Sequence, residues 1–183
     1  MPGYNGNTSF IDGLDFDFII IHESGHEWWG NSITSNDIAD MWVHEGFCTY
    51  SEVLYVECMH GYDAMLSYVN NQKRSVRNDK AVIGPYHVNQ TGSSGDMYFK
   101  GANLLNTIRS IYDNDKLWWK TLKDYTETYK HQIIDTETTE NFFNKETEVD
   151  LQPIFDQYLR HSDLPKLEFR KKDDRDQSSC FFE

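Results

Sequence analysis

Two histidines and a glutamate within His22-Glu23-Ser24-Gly25-His26 are residue types that bind a metal ion and act on a water molecule beside it. Histidines four positions apart on a helix lie on one face, separated by about 6 Å of rise and roughly 40° of rotation. Both imidazoles can therefore reach one tetrahedral zinc ion. Glu23 lies roughly 100° from His22 around the helix, which suits a base holding the water better than a further ligand. The spacing predicts hydrolysis by metal-activated water.

A third protein ligand has to come from another part of the chain. One zinc arrangement, that of the metzincins, requires glycine at position 29 and histidine at position 32, where this chain has Trp29 and Ser32. The remaining common solution is a glutamate on a second helix, because two histidines and a glutamate form a known catalytic zinc shell. Glu45 follows His26 after eighteen intervening residues and is the candidate. A thermolysin-like enzyme would have an aspartate four residues later, where this chain has Thr49.

The elements that must position these side chains are two helices. The apolar run at 16–21 leads into the pentapeptide, and Gly30 is a stop signal, so we expect one buried helix from about Asp15 to Trp29. A second helix is expected from near 35–36 to His60, before Gly61.

Glu45 lies in a partly apolar face of this second helix. An unpaired buried carboxylate is costly, so Glu45 needs a partner, and zinc would supply one. Glu52 shares that face and could accept a hydrogen bond from the second ring nitrogen of a ligand histidine. Asp40 competes for the same role, and the sequence leaves the choice between Asp40 and Glu52 open.

The rest of the chain reads mainly as amphipathic helices. They are expected at about 62–77, 97–112, 117–130, 138–147 and 151–160, with a short strand at 164–170. Asp96 is expected to cap the helix that begins at Met97. Trp28, Trp29 and Trp42 are expected to pack in the core beside the histidines.

Three motifs in a fixed order carry a resemblance to a known family. HESGHEWWGNSIT extends the pentapeptide into W-x-G-N-x-x-T, and an E-G-F segment begins at Glu45. MYFKGA at 97–102 is similar to a Y-x-K-G-A segment. Over roughly residues 15–169 the chain resembles the catalytic domain of the aminopeptidase N family of gluzincin zinc metallopeptidases, whose relatives include leukotriene hydrolase.

The resemblance implies a mainly α fold, the helical portion of a thermolysin-like catalytic domain with six or seven helices. It implies one Zn²⁺ on His22, His26 and Glu45, and a zinc-dependent aminopeptidase that releases amino-terminal residues from a peptide substrate. Glu23 would be the general base and Tyr98 the hydrogen-bond donor to the oxyanion. From periodicity alone, Tyr98 would be a core tyrosine.

Two alternatives to the aminopeptidase remain. A zinc epoxide hydrolase of the leukotriene hydrolase type uses the same zinc site, although its substrate needs an apolar channel. A catalytically silent helical fragment would fold without a complete cleft. Zinc binding with peptidase turnover separates the first reading from both alternatives.

The resemblance also sets expectations for the ends of the chain. Residues 1–14 are expected to be a loop or truncated amino-terminal edge, residues 15–169 the catalytic helical domain, and residues 170–183 a disordered or truncated tail. The family's Gly-x-Met-Glu-Asn segment, which anchors the substrate's amino terminus, has no match here. We therefore expect amino-terminal segments of a longer chain to be missing, and aminoacyl substrates to be cleaved poorly by this chain.

Composition limits the classes of partner. Lys and Arg number 17 against 30 Asp and Glu, and the net charge of −13 argues against nucleic acid and anionic membranes as partners. No apolar run is long enough for a membrane span, and no signal peptide is visible, which favours a cytoplasmic location. The three cysteines, Cys48, Cys58 and Cys180, suggest reduced structural thiols.

Overall fold

A computed structural model of the protein describes residues 14, 16–88 and 94–166. These residues form a mainly α structure, which confirms the predicted fold class. The helices are α1 (Phe18–Gly25), α2 (Trp42–His60), α3 (Tyr62–Gln72), α4 (Phe99–Tyr112), α5 (Asp115–Tyr129), α6 (Thr136–Lys145) and α7 (Gln152–Phe155). Short 3₁₀ turns lie at Ile38–Asp40, Lys73–Ser75 and Gly95–Met97, and a π turn, Asp156–Arg160, continues α7.

Helix α1 is shorter than expected at both ends. Asp17 caps it, because its side-chain oxygen accepts hydrogen bonds from the N–H groups of Ile19 and Ile20 at 3.1 and 3.3 Å. The helix ends at Gly25, and the next three N–H groups bond carbonyls three residues back. Further on, the N–H groups of residues 31–33 bond carbonyls five residues back, as between Asn31 N and His26 O at 2.9 Å. His26 keeps a right-handed helical backbone, so its i, i+4 relation to the first histidine survives.

The entry to α2 also differs from the expected continuous helix. Strand β1 (Ile33–Ser35) occupies the predicted start and pairs in parallel with β2 (Gln132–Ile134). Asp37 then caps the 3₁₀ turn through Ala39 N at 2.9 Å, and α2 starts at Trp42. This pairing joins residues about a hundred positions apart, so no local pattern could indicate it.

The predicted cap of α4, Asp96, is wrong. Ser94 caps the turn before α4 through Asp96 N, whereas the Asp96 carboxylate accepts from the N–H groups of Arg77 and Asn78 at 2.8 and 2.7 Å. This buried carboxylate therefore satisfies backbone N–H groups of a loop and not those of its own helix.

Helix α2 lies at the centre and packs on α1, α3 and α4. Large aromatic side chains fill the core around it, among them Trp42, Phe47, Trp118, Tyr125 and Phe143. Trp28 is 53% exposed in the turn after α1, so its predicted core role is wrong.

Several expectations fall beyond the described residues. Residues 1–13, residues 167–170 of the predicted strand, and the predicted tail at 170–183 lie outside them, and the described part of that strand, residues 164–166, is not in a strand. Within the described ranges, no helix combines the length and apolar character that crossing a bilayer requires.

Candidate metal centre and active site

The three predicted ligand side chains converge on one point between α1 and α2. The Glu45 carboxylate lies 3.0 Å from His22 Nε2 and 3.6 Å from His26 Nε2, through the same oxygen. The two imidazole rings are 5.2 Å apart and nearly perpendicular. Two histidines four residues apart and a glutamate on the neighbouring helix thus present one atom each to a common site.

The second ring nitrogens show that this arrangement fits a zinc ion. His22 Nδ1 is bonded to Glu52 at 2.9 Å, and His26 Nδ1 lies 3.0 Å from the carbonyl oxygen of Trp29. With both Nδ1 atoms engaged, both Nε2 atoms are left for a ligand, which is how metal-binding histidines are usually oriented. Two imidazole nitrogens and a carboxylate oxygen are a donor set that suits zinc.

Glu52, and not Asp40, supports the histidine. Glu52 is 2% exposed, and its second oxygen accepts a hydrogen bond from the Tyr68 hydroxyl at 2.7 Å. Burial raises the pKa of Glu52, while its bonds to His22 and Tyr68 oppose that rise. The Asp40 carboxylate instead accepts from Thr136 and from the Tyr86 hydroxyl. The two rival acids of the sequence therefore have different tasks.

Burial disfavours protonation of His22, but hydrogen bonds to Glu45 and Glu52 outweigh it and raise the pKa of His22 to about 9. A carboxylate on each side of one imidazole is a site built for positive charge. The cation can be a proton on His22 or a metal ion at its Nε2.

Cys48 is a neighbour of this site that sequence reasoning treated as a plain structural thiol. Its Sγ lies 3.3 Å from His26 Nδ1, and ligand atoms of His22, His26 and Cys48 fall within 4.8 Å of one another. Burial, followed by the charge of Glu45, raises the pKa of Cys48 far above its usual range. Its Sγ lies at Nδ1 of His26, whereas one Glu45 oxygen lies near Nε2 of both histidines, so the carboxylate is the better-placed third donor. The signal available in the sequence was the position of the thiol nearly one helical turn after Glu45.

Glu23 and Tyr98 are both neighbours of His22, Glu23 in sequence and Tyr98 in space. Glu23 is exposed directly after His22, and the Tyr98 ring lies 5.8 Å from the His22 ring. Burial raises the pKa of Tyr98, and the charges of Glu45 and Glu23 raise it further. The phenol therefore remains protonated, as a hydrogen-bond donor must.

His44 adjoins Glu45 in sequence but not in function. Its Nε2 accepts a hydrogen bond from Ser35 N at 2.7 Å, and burial lowers the pKa of the ring. It therefore holds β1 against α2 as a neutral hydrogen-bond acceptor.

Comparisons with known proteins give these residues a context. The family model described as "Peptidase family M1 domain" matches residues 7–158. An aminopeptidase N of Lactococcus lactis subsp. lactis is 25% identical over 182 residues, which cover 92% of this chain and 21% of that protein. The crystal structure of an M1 zinc metallopeptidase from Deinococcus radiodurans matches with a TM-score of 0.70 at 21% identity, over 84% of this chain and 35% of that one. The native leukotriene A4 hydrolase of Saccharomyces cerevisiae matches with a TM-score of 0.62 at 19% identity, over 83% and 27% of the two chains.

Proposed function

Because the chain belongs to peptidase family M1, we propose that it hydrolyses peptide bonds with one zinc ion held by His22, His26 and Glu45. The observation that carries the proposal is the single Glu45 oxygen 3.0 and 3.6 Å from the two Nε2 atoms. Its curated relatives include an aminopeptidase N and a glutamyl aminopeptidase, so we take peptides with a free amino terminus as the substrate class. The chain spans about a fifth of those relatives' length.

The chain's own residues divide the chemistry among them. Zinc in such a site polarises a water molecule and the scissile carbonyl. Glu23 takes a proton from the attacking water onto its carboxylate and passes it to the nitrogen of the leaving amine as the C–N bond breaks. Tyr98 donates its hydroxyl hydrogen bond to the carbonyl oxygen as that oxygen gains negative charge. Glu52 holds the His22 ring in the orientation that exposes Nε2.

Replacing Glu23 by Gln tests the proposal. The variant keeps the shape of the side chain but cannot accept the proton, so we expect bound zinc to be retained and cleavage of a fluorogenic aminoacyl amide to fall about 10²–10⁴-fold. Measurements with protein in excess over substrate make slow cleavage visible. Glu27→Gln, an exposed glutamate one turn later, is the matched control and should change neither quantity. Zinc-bound Glu23→Gln that cleaves as fast as the parent would refute the role of Glu23.

The epoxide hydrolase reading gains no specific support. The likeness of this chain to the yeast leukotriene A4 hydrolase, at 19% identity, concerns the fold. An aminoacyl substrate is therefore the first to assay.

A further inference from the structure

Helices α2 and α4 touch backbone to backbone at two glycines beside the site. A Cβ atom added to Gly101 would lie 2.9 Å from the Cα of Gly46, and one added to Gly46 would lie 3.1 Å from Met97 O and 3.2 Å from the Cα of Gly101. Real Cβ atoms essentially never come as close as the 2.9 Å at Gly101, and the two distances at Gly46 are tighter than nine in ten real Cβ contacts. The obstructing atoms belong to backbone and cannot rotate away, so any side chain here would push the helices apart.

This contact lies between two functional residues. Gly46 directly follows Glu45 on α2, and Gly101 lies three residues after Tyr98, at the start of α4. The carbonyl that a Gly46 side chain would meet belongs to Met97, the residue before Tyr98. The separation of the two helices at this point therefore sets how near the Tyr98 backbone comes to the carboxylate of Glu45.

Neither glycine is required by backbone conformation. Both lie inside helices, whereas among the described glycines only Gly30 and Gly61 have positive φ. Glycine inside a helix is destabilising relative to alanine, so its presence in both helices at one contact calls for a steric reason. The reason is the close approach itself.

We propose that Gly46 and Gly101 are positioning residues that set the reach of the Tyr98 hydroxyl to the reacting carbonyl. The proposal rests on the proposed function, because it concerns the donor named there. A side chain at either glycine would move Tyr98 away from the ligands while leaving the ligands in place. Misplacement by about 1 Å at such a group can cost on the order of 10²-fold in rate.

A double-mutant cycle between Gly101→Ala and Tyr98→Phe tests the proposal. In the Tyr98 protein we expect Gly101→Ala to lower kcat about a hundredfold with little change in KM. In the Tyr98→Phe protein the same change should have almost no effect, since the hydroxyl is already gone. Gly95→Ala is the matched control, because no atom lies within 4 Å of its added Cβ, and it should leave kcat unchanged.

Two readouts do not depend on turnover. Zinc affinity, measured by chelator competition, should be unchanged in Gly101→Ala. A phosphinic dipeptide mimics the tetrahedral oxyanion. Gly101→Ala should bind it more weakly than the parent does, whereas Gly101→Ala/Tyr98→Phe should bind it as tightly as Tyr98→Phe does. If the parent binds zinc and the phosphinic dipeptide without cleaving substrate, the proposed function fails while this affinity cycle still decides the role of the glycines.

Other outcomes would overturn the proposal. Equal losses in the Tyr98 and Tyr98→Phe proteins would mean that the contact acts through general packing. A parallel loss of zinc affinity would mean that it acts through Glu45. If Gly101→Ala does not fold by circular dichroism, Gly46→Ala enters the same contact from the other helix and repeats the cycle. Failure of both variants to fold would show that the contact serves stability alone.

Discussion

Glu52 shows at the scale of single residues how a side chain outside the proposed ligand set can orient one of its members. It fixes the His22 ring through Nδ1 and is itself held by Tyr68. We expect Glu52→Gln to weaken zinc binding about 10–100-fold, because the ring loses its charged partner. Chelator competition measures the change. Asp40→Asn is the control, since Asp40 bonds Thr136 and Tyr86 instead, and equal losses in the two folded variants would contradict the assignment.

His22 also predicts how the metal-free protein responds to pH. Its folded pKa of about 9 lies above the ordinary histidine value of 6.5, so the protonated ring stabilises the fold. That contribution is complete below pH 6.5 and is lost as the pH rises through about 9. With chelator present, the Tm of the parent should fall over this range more steeply than that of His22→Gln. Parallel curves for the two proteins would contradict the prediction.

Much of the site could be predicted from the sequence, because helical spacing is a local property. The four-residue spacing predicted that His22 and His26 share one helix face, and Glu45 followed as a glutamate on the second helix. The sequence could not choose between Glu52 and Asp40, since both are acids on α2 or its entry, and only the packing of α3 and α6 separates them. Nor could it place Cys48 against His26, because that contact depends on where α1 ends.

The cap of α1 matters at the scale of elements because this helix has only two turns and bears His22 and Glu23. Removing the Asp17 side chain in Asp17→Ala should cost about 1 kcal/mol and loosen the helix that holds the first ligand. We expect lower thermal stability together with weaker zinc binding. Asp135→Ala removes the equivalent cap of α6 and should cost similar stability with no change in zinc affinity. The prediction requires that Asp17→Ala weaken zinc binding and that Asp135→Ala leave it unchanged.

The helices themselves were well indicated by periodicity, whereas their ends were not. Helix α2 stops at Gly61 as expected, because a φ of 88° suits glycine. Its start was obscured by Ser35, Asn36 and Asp37, three good capping residues in a row. Asp37 caps the preceding 3₁₀ turn, and α2 begins at Trp42 without a side-chain cap. Where several capping signals are equally strong, tertiary packing decides at which residue the helix begins.

At the scale of the whole molecule, one buried contact joins the entry of α2 to the start of α6, 96 positions apart in the sequence. The Thr136 hydroxyl donates to Asp40 at 2.6 Å and accepts from Trp42 Nε1 at 2.8 Å. Thr136→Val keeps the shape but leaves a buried carboxylate without one of its donors, at a cost of about 1–3 kcal/mol in the free energy of unfolding.

Thr139→Val is the matched control for this contact. Thr139 is on the same helix, equally buried, and bonds only the neutral Tyr125 hydroxyl and a backbone carbonyl. Denaturant unfolding should therefore show a smaller loss for Thr139→Val than for Thr136→Val, because bonds to charged groups contribute more. A larger loss in the control would contradict the importance given to Asp40.

The distance between the site and this contact has a consequence for the newly made chain. All three proposed ligands and Glu52 lie within residues 22–52, whereas Thr136 follows Glu52 by 84 residues. A ribosome adding about 5–20 residues per second needs on the order of ten seconds to cover that interval. During that time His22, His26 and Glu45 can meet a metal ion while the partner of Asp40 has yet to be synthesised. Metal uptake in the cell can therefore precede completion of the core instead of waiting for a finished protein.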